Sequence, residues 1–148
     1  MSTIQDLTNS IKTRTTTVLG SNFKEAGYGI DFLKNTIKGS AQIYAVLPQN
    51  ITDVGTVTRS VTYNHEFVIR FGNTYINKSL SDANQQQLAI DLLELAKDLY
   101  KDLVNTKCGL PGICINVTTL EVEDPINVSE SKLVVIEMSF IVRYRELI

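Results

Sequence analysis

Residues 57–71 read VTRSVTYNHEFVIRF, and apolar and polar side chains alternate through most of this stretch. Alternation with a period of two, in residues that are mostly β-branched or aromatic, predicts a β-strand with one buried face, Val57–Phe71. The apolar face carries Val57, Val61, Tyr63, Phe67, Ile69 and Phe71, and the polar face carries Thr58, Ser60, Thr62, Asn64, Glu66 and Arg70. Because strands usually have about five or six residues, this one is expected to bend or to project beyond its own sheet.

Three shorter apolar runs predict further strands. Ala41–Leu47 is expected to pair with the long strand and to end at Pro48, so that Gln49–Thr56 forms a polar loop between the two. Near the C-terminus the strands are expected at Ile113–Glu123 and Leu133–Arg145, joined as a hairpin by Asp124–Lys132. Glu121 to Pro125 is an acidic turn within this region.

Two segments have the spacing of amphipathic helices. Thr3–Leu19 places Ile4, Leu7, Ile11 and Val18 on one face and ends at Gly20, which favours helix termination. Asp82–Asn105 is the core helix, with a continuous apolar face formed by Leu88, Leu92, Leu95, Leu99 and Leu103. Between these elements we expect a loop with a short helical turn at Asp31–Lys38, a turn at Gly72–Leu80 and a turn at Cys108–Gly112.

The order of these elements predicts an α+β protein. One antiparallel sheet of about four strands packs against helices in the order α-β-β-α-β-β, within a single domain spanning residues 1–148. A chain of this length buries roughly 70% of the surface that its unfolded form exposes, so a core can form without disulfides or metals. The apolar fraction of 43% and the charged fraction of 20% are those of an ordinary soluble globular protein.

The charge balance and the apolar segments exclude several functional classes. A net charge of −2, from 14 basic and 16 acidic residues, creates no long-range field that would attract DNA or an anionic membrane. No run approaches the ~18–20 apolar residues that span a bilayer, and residues 1–14 lack the apolar region of a secretory signal. We therefore expect no membrane partner and no specific nucleic-acid binding.

The sequence also offers little catalytic chemistry. His65 is the single histidine, and its place on the apolar side of the long strand favours a hydrogen-bonded structural role over catalysis. Cys108 and Cys114 could pair across their turn, but free buried thiols are the preferred interpretation, and their spacing matches no common zinc pattern. No phosphate-binding glycine loop or nucleophile motif occurs. We predict no catalytic, cofactor or metal site, and hence no enzyme.

The polar strand faces favour contact with another protein chain. Long strands with an unpaired edge are an aggregation hazard that a closed ring removes. Basic side chains on the strands could pair with acidic groups on the next subunit, the loop Gln49–Thr56 could reach a neighbouring ring, and the excursion Phe23–Lys38 could clasp the adjacent subunit. The predicted interface residues are Gln49, Asn50, Asp53, Arg59, Arg70, Glu121, Glu123, Arg143 and Arg145, with Asp124 beside the acidic pair.

Three stretches carry a resemblance to a known family. They are Ile43–Pro48 with the small polar loop that follows to Val57, the strand Tyr63–Phe71, and the closing strand Val135–Tyr144. In pattern and length, over Thr3 to Tyr144, the chain resembles the tail terminator, or tail-completion, proteins of tailed bacteriophages. The region through Asn22–Gly39 is longer here than the usual N-terminal region of that family.

The resemblance implies a structural protein of the virion neck, made in the host cytoplasm. It would form a homo-oligomeric ring, expected to be a hexamer, at the head-proximal end of the tail tube. One face of the ring would bind the tail tube protein and end tube polymerisation, and the other would dock to the neck or head–tail connector, with DNA passing through the ring. The alternatives are another virion adaptor, such as a connector or baseplate component, and a small-ligand-binding domain.

Overall fold

The computed structural model describes residues 3–25, 42–74, 82–128 and 133–147. Its elements, in chain order, are α1 (Thr3–Leu19), β1 (Phe23–Glu25), β2 (Gln42–Val57), β3 (Ser60–Thr74), α2 (Asp82–Thr106), a 3-10 turn (Lys107–Gly109), β4 (Cys114–Val122), β5 (Ile126–Val128) and β6 (Leu133–Leu147). The predicted α+β class is confirmed. The expected helical turn at Asp31–Lys38 and most of the excursion Phe23–Lys38 lie outside the described residues.

The strands form one sheet in the order β1-β2-β3-β6-β4, and β5 pairs with β6 next to β4. All neighbours are antiparallel except β1 and β2, which are parallel. The prediction of about four strands is therefore wrong by two. The two additional strands, β1 and β5, have three residues each, and a three-residue segment is too short to show alternation.

The largest correction concerns β2, which does not end at Pro48. It continues to Val57, so the predicted loop Gln49–Thr56 is strand, and the chain reverses at Thr58 and Arg59. Register shifts between Pro48 and Ile51 and between Asp53 and Gly55 take up the irregular residues. Proline is tolerated because β2 pairs with β1 only over Gln42–Tyr44, so Pro48 faces no β1 residue. The long strand accordingly begins at Ser60 and runs on to Thr74, so the first three residues of the predicted turn Gly72–Leu80 are strand and the rest lie outside the described residues.

The core lies between the sheet and the two helices. The predicted apolar face of the long strand is fully enclosed at Phe67, Ile69 and Phe71. Val61 and Tyr63 are partly buried, and the prediction is wrong for Val57, which belongs to β2 and is 65% exposed. The rings of Phe67 and Phe140 stack at 6.2 Å between centroids, which joins β3 to β6. The apolar faces of the helices also enter the core. The buried residues include Leu7 and Ile11 from α1 and Leu88, Leu92, Ala96, Leu99 and Leu103 from α2.

The opposite face of the sheet is buried over only part of its length. Ile43, Ala45, Leu47, Val68 and Val135 alternate with the core side chains and are nevertheless buried. Beyond Leu47 the strands leave this doubly covered region, and the polar face becomes accessible. The sheet therefore has a buried half and an accessible half.

A junction between α1 and the end of α2 fixes the turn before β4. Arg14 forms two hydrogen bonds with Asp102, Nε to Oδ2 at 2.8 Å and Nη2 to Oδ1 at 2.5 Å. The hydroxyl of Ser10 donates to the Cys108 carbonyl at 2.6 Å. Gly109 has a φ of +75°, and a Cβ at this position would lie 2.7 Å from the Ser10 hydroxyl oxygen, so the turn requires glycine.

Candidate interaction surface

The outer parts of β2 and β3 form a projecting hairpin, which we call the arm and define as residues 49–64. Every residue from 49 to 59 is exposed. The arm ends in a tight turn in which Arg59 has a φ of +66°. The final residues of β6 support one side of the arm, since Thr62 lies opposite Arg145 and Ser60 opposite Leu147. The long strand thus projects beyond the core, as its length predicted.

The arm exposes apolar side chains that a free surface does not favour. Ile51 is 44% exposed, Val54 is 45% exposed and Val57 is 65% exposed. Leu147 is 85% exposed, and both Val57 and Leu147 lie opposite Ser60, one on each neighbouring strand. Directly opposed residues share a face of the sheet, so Val57 and Leu147 lie on one face with Ser60 between them, and we call these two side chains the tip patch.

His65 anchors the base of the arm. The side chain is 1% exposed, its ring lies 4.4 Å from the ring of Phe67, and its Nδ1 lies 3.5 Å from the Tyr144 hydroxyl. Burial lowers the pKa of His65, and a hydrogen bond to the backbone of Gln49 opposes that shift. His65 is therefore buried and hydrogen-bonded on the apolar side of the strand, as predicted. Its bond to Gln49 ties the first arm residue to the core.

The other predicted residues on the arm are distributed over both of its faces. Asp53 pairs with Tyr63 on the core side. Asn50 faces the opposite side, where it lines a shallow polar depression of about 250 Å³ with Thr52, Asn64, Glu66 and Ile141. Gln49 is exposed, and its side-chain amide donates to the Pro48 carbonyl at 3.1 Å.

Two of the predicted basic residues already have partners within the chain. Arg70 forms a cross-strand salt bridge with Glu137, Nε to Oε2 at 2.7 Å. Arg143 Nε donates to Asn64 Oδ1 at 3.0 Å. Arg59 and Arg145 are exposed, and within the described part of the chain no carboxylate lies at salt-bridge distance from either. These two are the arginines most available to another molecule.

Two of the predicted basic residues lie at the opposite end of the sheet from the predicted acidic residues. Arg143 and Arg145 lie near the C-terminal end of β6, beside the arm. Glu121 lies opposite Ser139, and Glu123 donates its backbone N–H to the Glu137 carbonyl at 2.9 Å, so both lie toward the start of β6. Within one chain the structure therefore brings only Arg70 near the predicted acidic residues, since it lines a small cavity with Glu123 and Asp124.

Both cysteines are free and buried, with Cys108 at 0% exposure and Cys114 at 2%. A hydrogen bond between the two thiols and burial both raise the pKa of Cys108, so it stays protonated. Among the described residues, no three histidine, cysteine or acidic side chains converge as metal ligands. No described helix is long and apolar enough to cross a membrane.

Sequence reasoning missed the exposed apolar residues of β2 in the arm, having placed Val57 on a buried face, and it missed the cleft beside the arm. Ile51, Val54 and Val57 recur every third residue, a spacing that does not show the two-residue period of a strand. The register shifts in β2 accommodate this spacing within the sheet. The cleft, of about 530 Å³, lies next to the arm where the turn after α2 meets the ends of β4 and β6. Its lining includes Lys107, which had no recognisable signal because the cleft is assembled from segments distant in sequence.

No protein-family model matches the chain, and no curated protein sequence matches it.

Proposed function

We propose that this protein is a structural component that assembles with copies of itself into a ring. The observation that carries the proposal is the arm, a hairpin whose residues 49–59 are all exposed while apolar side chains project from it. β6 pairs with β3 along the whole arm, so the arm is the end of a three-stranded sheet, and beyond Tyr44 the outer side of β2 has no partner strand among the described residues. An unpaired strand edge is a ready site for contact with another chain. An arm of this kind is stabilised when another chain covers its apolar residues.

The tip patch supplies a measurable share of such a contact. Complete burial of a valine or leucine side chain is worth about 1.5–3 kcal/mol. Val57 and Leu147 are 65% and 85% exposed, so each could contribute about 1–2 kcal/mol when covered. Together they would change an association constant roughly 30-fold to 1000-fold. The patch is therefore large enough to decide whether subunits associate at micromolar concentration.

The resemblance to tail terminators supports a specific setting for this ring. In that setting the ring is a hexamer at the head-proximal end of a phage tail tube, in the neck of the virion. One face ends tube polymerisation by binding the last ring of tail tube protein, and the other docks to the neck or connector. Projecting arms suit this role, because contacts made beyond the subunit's own core can join one subunit to the next.

Light scattering on the purified protein, with and without assembled tail tubes, tests the proposal. A ring mass, or binding confined to tube ends, supports it. A protein that stays monomeric at every concentration and ignores tube ends refutes it. Assembly without tube binding would favour a different virion adaptor.

Substitution of the tip patch tests the contact itself. The double variant Val57→Thr, Leu147→Thr should weaken association roughly 30-fold or more, because threonine retains strand preference but loses apolar area. The control is Ile90→Thr on α2, which makes the same kind of change at another exposed apolar side chain, 44% exposed, that is not part of the arm. Equal association by both variants and the unaltered protein would exclude the tip patch from the contact.

A further inference from the structure

The cleft beside the arm combines positive charge with apolar walls. Its described lining residues include Lys107, Arg145, Ile113, Ile115 and Leu147, and none of the described lining residues is acidic. Lys107 and Arg145 are exposed, and neither forms a salt bridge with a described carboxylate. The apolar walls include Ile115, which is 36% exposed, and Leu147. A complementary ligand would present carboxylates next to an apolar side chain.

The same chain carries a segment with that chemistry, residues 123–126 between β4 and β5, which we call the acidic turn. Its sequence is Glu-Asp-Pro-Ile, both carboxylates are exposed, and Ile126 is 51% exposed. Glu123 is held to β6 by its backbone hydrogen bond to the Glu137 carbonyl. The turn is therefore presented by a fixed backbone, which lowers the entropy lost on binding.

The carboxylates of the acidic turn form no salt bridge with described residues of their own subunit. It borders a small cavity of about 100 Å³ in which Glu123, Asp124 and Glu137 face one cation, Arg70. Arg70 forms its salt bridge with Glu137, at 2.7 Å. Within the described residues neither Glu123 nor Asp124 forms a salt bridge. Two carboxylates thus remain for a partner.

The cleft and the acidic turn lie at opposite ends of β4, so one chain cannot bring them together. β4 runs for nine residues, from Cys114 at the cleft to Val122 at the turn, which at about 3.3 Å per residue separates the two by roughly 25 Å. We propose that the acidic turn of one subunit docks in the cleft of the next. Such a head-to-tail contact leaves one cleft and one turn free at the ends until a ring closes. This inference rests on the proposed self-assembly and identifies one of its contacts.

Charge reversal tests the contact directly, because the contact joins two different surfaces, the cleft and the acidic turn, whose charges can be reversed separately. One variant, Lys107→Glu with Arg145→Glu, has an acidic cleft and an acidic turn. The other, Glu123→Lys with Asp124→Lys, has a basic cleft and a basic turn. Each variant alone should associate at least tenfold more weakly than the unaltered protein, because like charges then face each other. An equimolar mixture should recover assembly, since each cleft then meets a turn of opposite charge.

The matched control for the cleft variant is Lys97→Glu with Lys101→Glu on the exposed side of α2, which makes the same change in net charge as Lys107→Glu with Arg145→Glu. It should associate like the unaltered protein. If the unaltered protein assembles but either reversed variant assembles equally well, or the mixture fails to recover, the docking contact is wrong and the proposed ring stands. If the unaltered protein never assembles and never caps tubes, the ring and the docking contact are both wrong.

Discussion

Lowering the pH from 7.5 to 5.5 should destabilise this protein through His65. The side chain is 1% exposed and burial lowers its pKa, so the folded state resists taking up the proton. An unfolded chain binds that proton as the pH falls through about 6.5. Stability from this residue is therefore fully present above pH 6.5 and is lost as the pH falls toward the lowered folded pKa.

The largest possible loss of stability is set by the pKa of histidine in the unfolded chain, about 6.5. At pH 5.5, one unit below the reference pKa of about 6.5, the loss reaches at most about 1.4 kcal/mol, whereas at pH 7.5 it is close to zero. Because His65 is the single histidine of the chain, no other imidazole contributes in this range. Carboxyl groups with ordinary pKa values near 4 change charge mainly below this range.

Urea unfolding followed by far-ultraviolet circular dichroism at both pH values measures the effect. The control is His65→Gln, which keeps a hydrogen-bonding side chain but cannot become charged. We expect the free energy of unfolding of the unaltered protein to fall by up to about 1.4 kcal/mol, and that of the variant to change much less. Equal pH dependence in the two proteins would refute the assignment to His65.

Two further predictions concern the turn between α2 and β4. Gly109→Ala should lower the free energy of unfolding by about 1–3 kcal/mol, because alanine is strained at a φ of +75° and its Cβ would crowd the Ser10 hydroxyl. Unchanged thermal and urea unfolding would contradict it. Cys108 and Cys114 should react with iodoacetamide at least about 100-fold more slowly in the folded protein than in guanidinium, because both are buried. Mass spectrometry of the alkylated chain measures both rates, and rapid labelling of the folded protein would contradict the burial.

The elements that the sequence predicted well are those whose pattern is local and long. The α1 and α2 stripes repeat at helical spacing over four or more turns, and the helix starts Thr3 and Asp82 coincide with the predicted ones. In β3 and β6 the alternation also persists long enough to place the core face correctly. Long regular elements average out single exceptions, which is why Thr15, a buried polar residue bonded to the Ile11 carbonyl, did not obscure α1.

The prediction failed where a residue's local preference was overruled by its neighbours in space. Pro48 and Gly55 favour a break, yet β2 passes through both because β3 supplies a partner strand along its whole length. Because β2 contains these register shifts, its apolar residues from Ile51 to Val57 do not alternate with polar ones, and the sequence gives no strand pattern there. Local propensity could not show this, because the stabilising partner lies beyond the turn at Arg59.

The candidate surface was predictable only in its residue types. The sequence identified the basic and acidic groups but could not show that Arg70 bonds with Glu137, 67 positions away. That pairing depends on the register of β3 against β6, which is a property of the folded sheet. The cleft shows the same limit, since Lys107 and Arg145 meet only when the turn after α2 is pinned by Ser10 and β6 lies beside β4.

The placement of the charges also constrains the symmetry of assembly. If two subunits met around a two-fold axis, each cleft would take the other's acidic turn, both sites of both chains would be used, and growth would stop at twice the 16.5 kDa of one chain. If the contact repeats head to tail, each subunit uses its cleft with one neighbour and its turn with the other. The tip patch lies at the cleft end, since Leu147 belongs to both, so in the proposed ring one neighbour would cover both features. Assembly mass therefore distinguishes the two symmetries, and only the head-to-tail arrangement accounts for a closed ring.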